Sequence, residues 1–229
     1  MRLDKFLSNL KYGTRTEIKK FIKNGNIIVN DCVIKNVNTV IDELEDTVKI
    51  FDEVVFYKDP VILMLNKPKG YVSANRDQLH ETVLNLIGEP YSRFDLNIAG
   101  RLDVDTEGLI ILTNDGRILH DLISPKKDVY KKYYVEVDNP FDSKKLLRPM
   151  TILDGASHEY TPLPPKVEEL TETSFYLEIK EGKFHQVKRM CQYFGVKVIY
   201  LKRVAIGNIE LDPTLQLGEY KEIEKSALL

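Results

Sequence analysis

Gly100-Arg101-Leu102-Asp103-Val104-Asp105-Thr106-Glu107-Gly108-Leu109-Ile110-Ile111-Leu112-Thr113 sets a polar, glycine-broken segment directly before an apolar run. The pattern predicts a loop that delivers one guanidinium and one carboxylate to a site, anchored by a buried strand from Ile110 to Thr113. Taken alone, an Asp in a loop such as Asp103 is more often a turn former or a helix cap. Asp103-Val104-Asp105 also has the spacing of carboxylates that hold a divalent ion beside a nucleotide diphosphate. Arg101 argues against that, because it adds positive charge where the ion would sit, and no Gly-rich phosphate loop accompanies the pair. Nor do carboxylates two residues apart imply a glycosidase pair flanking a bond.

Around this segment lies a chain of 229 residues, long enough for one large domain or a small and a medium one, each with its own core. Its 43% hydrophobic and 30% charged residues are those of an ordinary globular protein. Cys32 and Cys191 are far apart and each falls in apolar-patterned sequence, so both are expected as reduced, partly buried thiols, without zinc-ligand spacing. The N-terminus runs straight into amphipathic pattern with no apolar h-region, and no apolar run approaches a membrane span. The expectation is a cytoplasmic protein with no membrane partner.

Net charge is −2, but the distribution is polarised. Residues 1–35 carry eight bases against three acids; residues 36–59 carry two against seven. A small domain so divided presents a basic face despite its neutral sum. Leu3, Phe6, Leu7 and Leu10 recur at helical spacing. Thr14-Arg15-Thr16-Glu17 fits a capping box opening a second helix, whose apolar face is Ile18, Phe21 and Ile22 and whose stop is Asn24-Gly25. Arg15, Lys19 and Lys23 repeat every four residues beside Lys20, forming one stripe away from that face. Such stripes are usually solvated helix surface. Asn26 to Ile34 reads as strand, turn, strand, and Thr47 to Phe51 as a further strand.

Lys58-Asp59-Pro60 reads as a linker. Beyond it the chain is mixed α+β. Strands are predicted at Val61–Leu65, Tyr133–Val137, Phe175–Ile179, Val198–Tyr200 and Ile206–Leu211, with helices at Glu81–Ile87 and Gln186–Phe194. Thr151 to Pro165 reads as loop or edge structure.

Four segments then occur in a recognisable order. Gly100-Arg101-Leu102-Asp103 followed by Asp105-Thr106-Glu107-Gly108 resembles the catalytic motif of the RsuA family of rRNA pseudouridine synthases. Leu65-Asn66-Lys67-Pro68-Lys69-Gly70-Tyr71-Val72 resembles that family's first motif, Lys131-Lys132-Tyr133-Tyr134-Val135 its K-x-Y-x-V motif, and Glu181 to Met190 its third. The N-terminal pattern resembles the S4 RNA-binding module. The resemblance runs almost end to end and implies an S4 (alpha-L) domain over residues 1–57, a linker at 58–61, and a synthase domain over 62–229. That domain is expected to hold a mixed, mainly antiparallel sheet flanked by helices.

The resemblance also implies roles. Asp103 is the catalytic carboxylate, Lys188 the base that keeps it ionised and aimed, and Tyr133 the ring that packs on the target base. Strand alternation puts Tyr134 on the other face. Arg101 helps a uridine leave folded RNA and fills the vacated space. The implied RNA contacts are Arg2, Arg15, Lys19, Lys20, Lys23, Arg101 and Arg189, mostly to phosphates, which position without reading sequence. His185 is expected to face RNA or start a helix, not to act in catalysis, and Lys67-Pro68 to form a structural turn. The implied reaction needs no metal and no cofactor. The form Phe184-His185-Gln186-Val187-Lys188 is similar to synthases acting on 16S rRNA, uridine 516 being the implied target, with a monomeric enzyme. A 23S rRNA synthase is the runner-up; a non-catalytic ribosome-assembly factor is the reading from a different class.

Overall fold

The computed structural model describes residues 1–123 and 129–228. They form two compact units, Met1–Val61 with Ile87–Leu96, and Ile62–Leu86 with Asn97–Leu229. Residues 87–96, expected in the second domain, pack with the first unit instead. Phe56 meets Tyr91 and Phe94 edge-on at 5.6 and 6.0 Å, and Tyr57 stacks on Phe94 at 6.3 Å. The Arg93 guanidinium lies 4.1 Å from the Tyr12 ring centroid. These are aromatic contacts between distant segments, which no local period announces.

In the first unit, helices α1 (Leu3–Asn9) and α2 (Arg15–Lys23) bury Leu3, Phe6, Leu7, Ile18 and Ile22. The capping box at α2 is complete. Thr14 accepts from the Glu17 amide, and the Glu17 carboxylate accepts from the Thr14 amide at 2.8 Å. Strands β1 (Ile27–Val29), β2 (Cys32–Val33), β3 (Val48–Ile50) and β4 (Glu53–Val54) form an antiparallel sheet in the order β2-β1-β3-β4. Asn30 and Asp31, with φ of 49° and 62°, make the left-handed two-residue turn that suits this hairpin. Cys32 sits on the sheet edge and is exposed, against expectation; Cys191 is buried.

The second unit is built on one mixed sheet. Its strands are β5 (Ile62–Lys67), β6 (Asn97–Ala99), β7 (Glu107–Thr113), β8 (Lys131–Val137), β11 (Lys166–Glu169), β12 (Ser174–Ile179), β13 (Val198–Ile206), β14 (Ile209–Glu210) and β15 (Tyr220–Glu222), with a separate small hairpin of β9 (Ile152–Leu153) and β10 (Glu159–Tyr160). The order is β11-β12-β8-β13-β7-β5-β15, with β14 beside β13 and β6 beside β7. Among the described residues, β7 and β13 are the parallel pair; the other pairings are antiparallel. β5 and β7 are buried along their whole length, which is why residues 62–65 and 109–112 read as apolar runs, while the polar residues at their ends are also buried.

One core lies against Met64, Leu109, Ile111 and Ile206 and is closed by Ile118 and Leu122 of helix α3 (Gly116–Ile123), an element absent from the sequence-based expectations. Two further expectations change. The first of the two last strands runs on from Val198 to Ile206, bulged between Arg203 and Ala205, and the second is only Ile209–Glu210, after Gly207 at φ 58°. The charged pair Lys202-Arg203 hid this continuity, since Arg203 is buried. Glu81–Ile87 contains a single 3-10 turn, Val83–Leu86, whereas helix α4 forms where expected, over Gln186–Tyr193 with Phe194 as its C-cap. No helix among the described residues is long and apolar enough to cross a membrane.

Candidate active site

The segment between β6 and β7 is tied down by buried polar side chains from elsewhere in the second unit. Lys67, closing β5, is fully buried, and its ammonium donates to the carbonyls of Asp103 at 3.0 Å, Thr106 at 2.8 Å and Pro68 at 3.0 Å. Burial pushes this lysine down to about 8, against the pull of Asp103, Asp105 and Glu107. The Ser73 hydroxyl donates to the Leu102 carbonyl at 2.9 Å and accepts from its amide at 3.1 Å. From β13, Arg203 donates through Nε to the Leu109 carbonyl and through Nη1 to that of Arg101, at 2.9 and 3.3 Å. The loop carbonyls of Arg101, Leu102, Asp103 and Thr106 are thus satisfied by Arg203, Ser73 and Lys67, leaving the acidic side chains to turn outward.

Those side chains meet α4. The Lys188 ammonium donates to Asp103 Oδ2 at 2.9 Å and to Asp105 Oδ1 at 2.6 Å. It occupies the position between two carboxylates that a divalent ion would need on the metal-binding reading of Asp103-Val104-Asp105. Burial alone would lower Lys188, but its bonds to Asp105 and Asp103 raise it above the ordinary lysine value. Burial would likewise raise Asp105, and the bond to Lys188 outweighs it and holds the carboxyl low. His185, at the start of α4, places Nε2 3.6 Å from Asp103 Oδ2 with its backbone at φ 53°.

Arg101, Asp103, Tyr133 and Lys188 line one cavity of about 740 Å³, together with Lys131, Leu201 and Arg203. Tyr133 is buried on the cavity face of β8. Tyr134 faces away, with its hydroxyl bonded to Glu136 at 2.7 Å and its ring against Tyr176 and Tyr200. Arg189 donates to the carbonyls of Leu153 and Asp154. In the first unit, Arg15, Lys20 and Lys23 are exposed and Lys19 is half-buried, while Arg2 forms a two-point pair with Asp4 at 3.0 and 3.1 Å. Sequence reasoning missed Lys67 and Arg203 as supports of the loop. The available signal was a cation inside or closing an otherwise apolar strand.

A carboxylate paired with an ammonium, in a cavity of this size that a buried tyrosine also lines, suits nucleophilic attack or proton removal on a bound ligand. Residues 61–193 match the family model described as RNA pseudouridylate synthase, and residues 1–48 match the S4 domain. The chain belongs to the RNA pseudouridylate synthase family. This synthase is 40% identical to the RNA pseudouridine synthase YtzG of Bacillus subtilis, over 100% of this chain and 97% of that one. It is 38% identical to the ribosomal small subunit pseudouridine synthase A of Vibrio cholerae, covering 96% of this chain and 95% of the relative. A solved pseudouridylate synthase matches it with a TM-score of 0.67 and 34% identity, covering 100% and 98% of the two chains. The synthase therefore has the RsuA-type organisation that the four motifs implied: an S4 module and a mixed, mostly antiparallel catalytic sheet.

Proposed function

We propose that this enzyme isomerises one uridine of small-subunit 16S rRNA, uridine 516, to pseudouridine, with Asp103 as the catalytic carboxylate. The observation that carries the reading is the Lys188 ammonium 2.9 Å from Asp103 Oδ2 in the cavity that Tyr133 lines. In the reaction the N1–C1′ bond breaks with its electron pair leaving on the base. The base turns, C5 bonds to C1′, the C5 proton is lost and N1 gains one, so no electrons are exchanged with any partner. Asp103 starts this either by attacking C1′ or by taking a ribose proton, and in either case the Lys188 ammonium bonded to its Oδ2 holds the carboxylate in place. Tyr133 packs on the base, and Arg101, exposed beside Asp103, takes the space the uridine leaves.

The 16S target is supported by the relatives named for small-subunit rRNA and by the Phe184-His185-Gln186-Val187-Lys188 form of the third motif. Arg15, Lys19, Lys20 and Lys23 dock the first unit on phosphates, a role consistent with cytoplasmic rRNA as partner. The test is tritium release from 16S rRNA, or its early assembly particle, labelled at uridine C5. Wild type is expected to release tritium and Asp103→Asn to release none. Release by wild type from 23S rRNA alone would overturn the target; equal release by both proteins would overturn the role of Asp103.

A further inference from the structure

The rim of the catalytic cavity carries a feature that the chemistry at Asp103 leaves unused. Phe184 is 54% exposed, yet it is held on several sides. Its ring stacks on that of His185 with centroids 3.7 Å apart and planes 20° from parallel. The Arg189 guanidinium lies 5.3 Å from the Phe184 centroid and is itself fixed by the carbonyls of Leu153 and Asp154. Gly155 closes a further side. A Cβ there would stand 3.0 Å from Phe184 Cβ and 3.2 Å from Cγ, tighter than ordinary contact, so a larger residue would press on the ring.

Single exposed aromatic residues are ordinary. This one differs because a strained backbone builds it into the site. His185 has φ 53°, a left-handed conformation unusual for a residue with a side chain, and no side-chain bond caps α4 there. That turn puts the imidazole over Phe184 on one side and 3.6 Å from the Asp103 carboxylate on the other. The two stacked rings thus span the distance from the exposed rim to within 3.6 Å of the Asp103 carboxylate, with cations at Lys183, Lys188 and Arg189 nearby.

We propose that the Phe184–His185 stack is a docking platform for the nucleobase adjacent to the flipped uridine. The inference rests on the uridine-isomerising reading above. Extruding one base removes the stacking partner of its neighbours, and an aromatic platform restores that partner without reading base identity. The target uridine itself belongs deeper, against buried Tyr133, so the exposed platform serves the flanking nucleotide. The cavity of about 740 Å³ has more room than one pyrimidine fills.

The experiment begins by mapping the uridine that wild type modifies in rRNA, which tests the underlying reading separately. That RNA is then made with a single abasic ribose on the 5′ or the 3′ side of the mapped uridine. Single-turnover rates are measured against enzyme concentration for wild type, Phe184→Ala, Phe184→Leu and Phe184→Tyr. On intact RNA, Ala and Leu are expected to raise the half-saturating concentration about tenfold, the cost of removing one base–aromatic stack, while Tyr stays near wild type. One of the abasic RNAs should weaken wild type by the same factor and leave Phe184→Ala no weaker than on intact RNA. The inference is overturned if the two effects multiply on both abasic RNAs, or if Phe184→Leu, which keeps an apolar side chain against Gly155 without a π face, binds as wild type does. Should the Ala variant not fold, the Leu and Tyr comparison carries the same decision.

Discussion

Gly108 and Arg203 touch backbone to backbone: a Cβ on Gly108 would lie 2.2 Å from the Arg203 carbonyl oxygen and 2.8 Å from its nitrogen. The two residues are register partners in the parallel β7–β13 pair, and Gly108 has φ +105°. Glycine is required here twice over, by sterics and by dihedral. The same approach brings the Arg203 side chain under Gly100 and Arg101, so the loop carrying Asp103 and the parallel pairing are one construction. Gly108→Ala is therefore expected to destabilise the second unit by about 4 kcal/mol or more. Urea unfolding of the intact chain measures this, and a change below about 1 kcal/mol would show that the strands have room to part.

Lys188 is the hinge of the site's electrostatics, and its effect on stability has a defined pH window. Its value is raised above 10.5, so the stabilisation it brings is fully present below pH 10.5 and is lost as pH rises through the higher folded value. Asp105 is lowered below 3.8, so its share is present above pH 3.8 and disappears as pH falls through the depressed folded value. The stability gap between wild type and Lys188→Met should be flat between these limits and narrow beyond both. At neutral pH the same variant leaves Asp103 without its donor, and kcat should fall on the order of 100-fold through misplacement. RNA affinity should change little. A gap that varies steeply near pH 7 would point to a different titrating group.

The basic stripe on α2 makes a quantitative claim about salt. Each phosphate neutralisation that is removed should reduce the slope of log Kobs against log salt by about 0.7 to 0.9. Replacing Arg15, Lys19, Lys20 and Lys23 by alanine together tests this in the full chain. Substitution is preferable to deleting residues 1–57, because Ile87–Leu96 packs with the first unit and would be left without partners. An unchanged slope would remove the stripe from the RNA interface.

Arg2 and Arg189 carry a lesson about reading charge from sequence. Both resemble free cations on paper, yet Arg2 is spent on the buried Asp4 carboxylate and Arg189 on the carbonyls of Leu153 and Asp154. A basic residue announces its charge locally, but its partner is set by chain segments that meet only on folding.

Interactions spanning a few residues are legible in the chain itself. The Thr14–Glu17 capping box, the Asn30-Asp31 turn and the opposite faces of Tyr133 and Tyr134 follow from helix, turn and strand geometry alone. The order of the four motifs likewise points to the family without any knowledge of tertiary structure. Folding alone settles what depends on long-range meeting. It puts Lys67 and Arg203 under the loop carrying Asp103, takes residues 87–96 into the first unit and sets His185 against both Phe184 and Asp103. A buried cation, a left-handed histidine and a borrowed segment each oppose local preference. They persist because hydrogen bonds and packing from distant strands outweigh it, and those partners have no fixed separation along the chain.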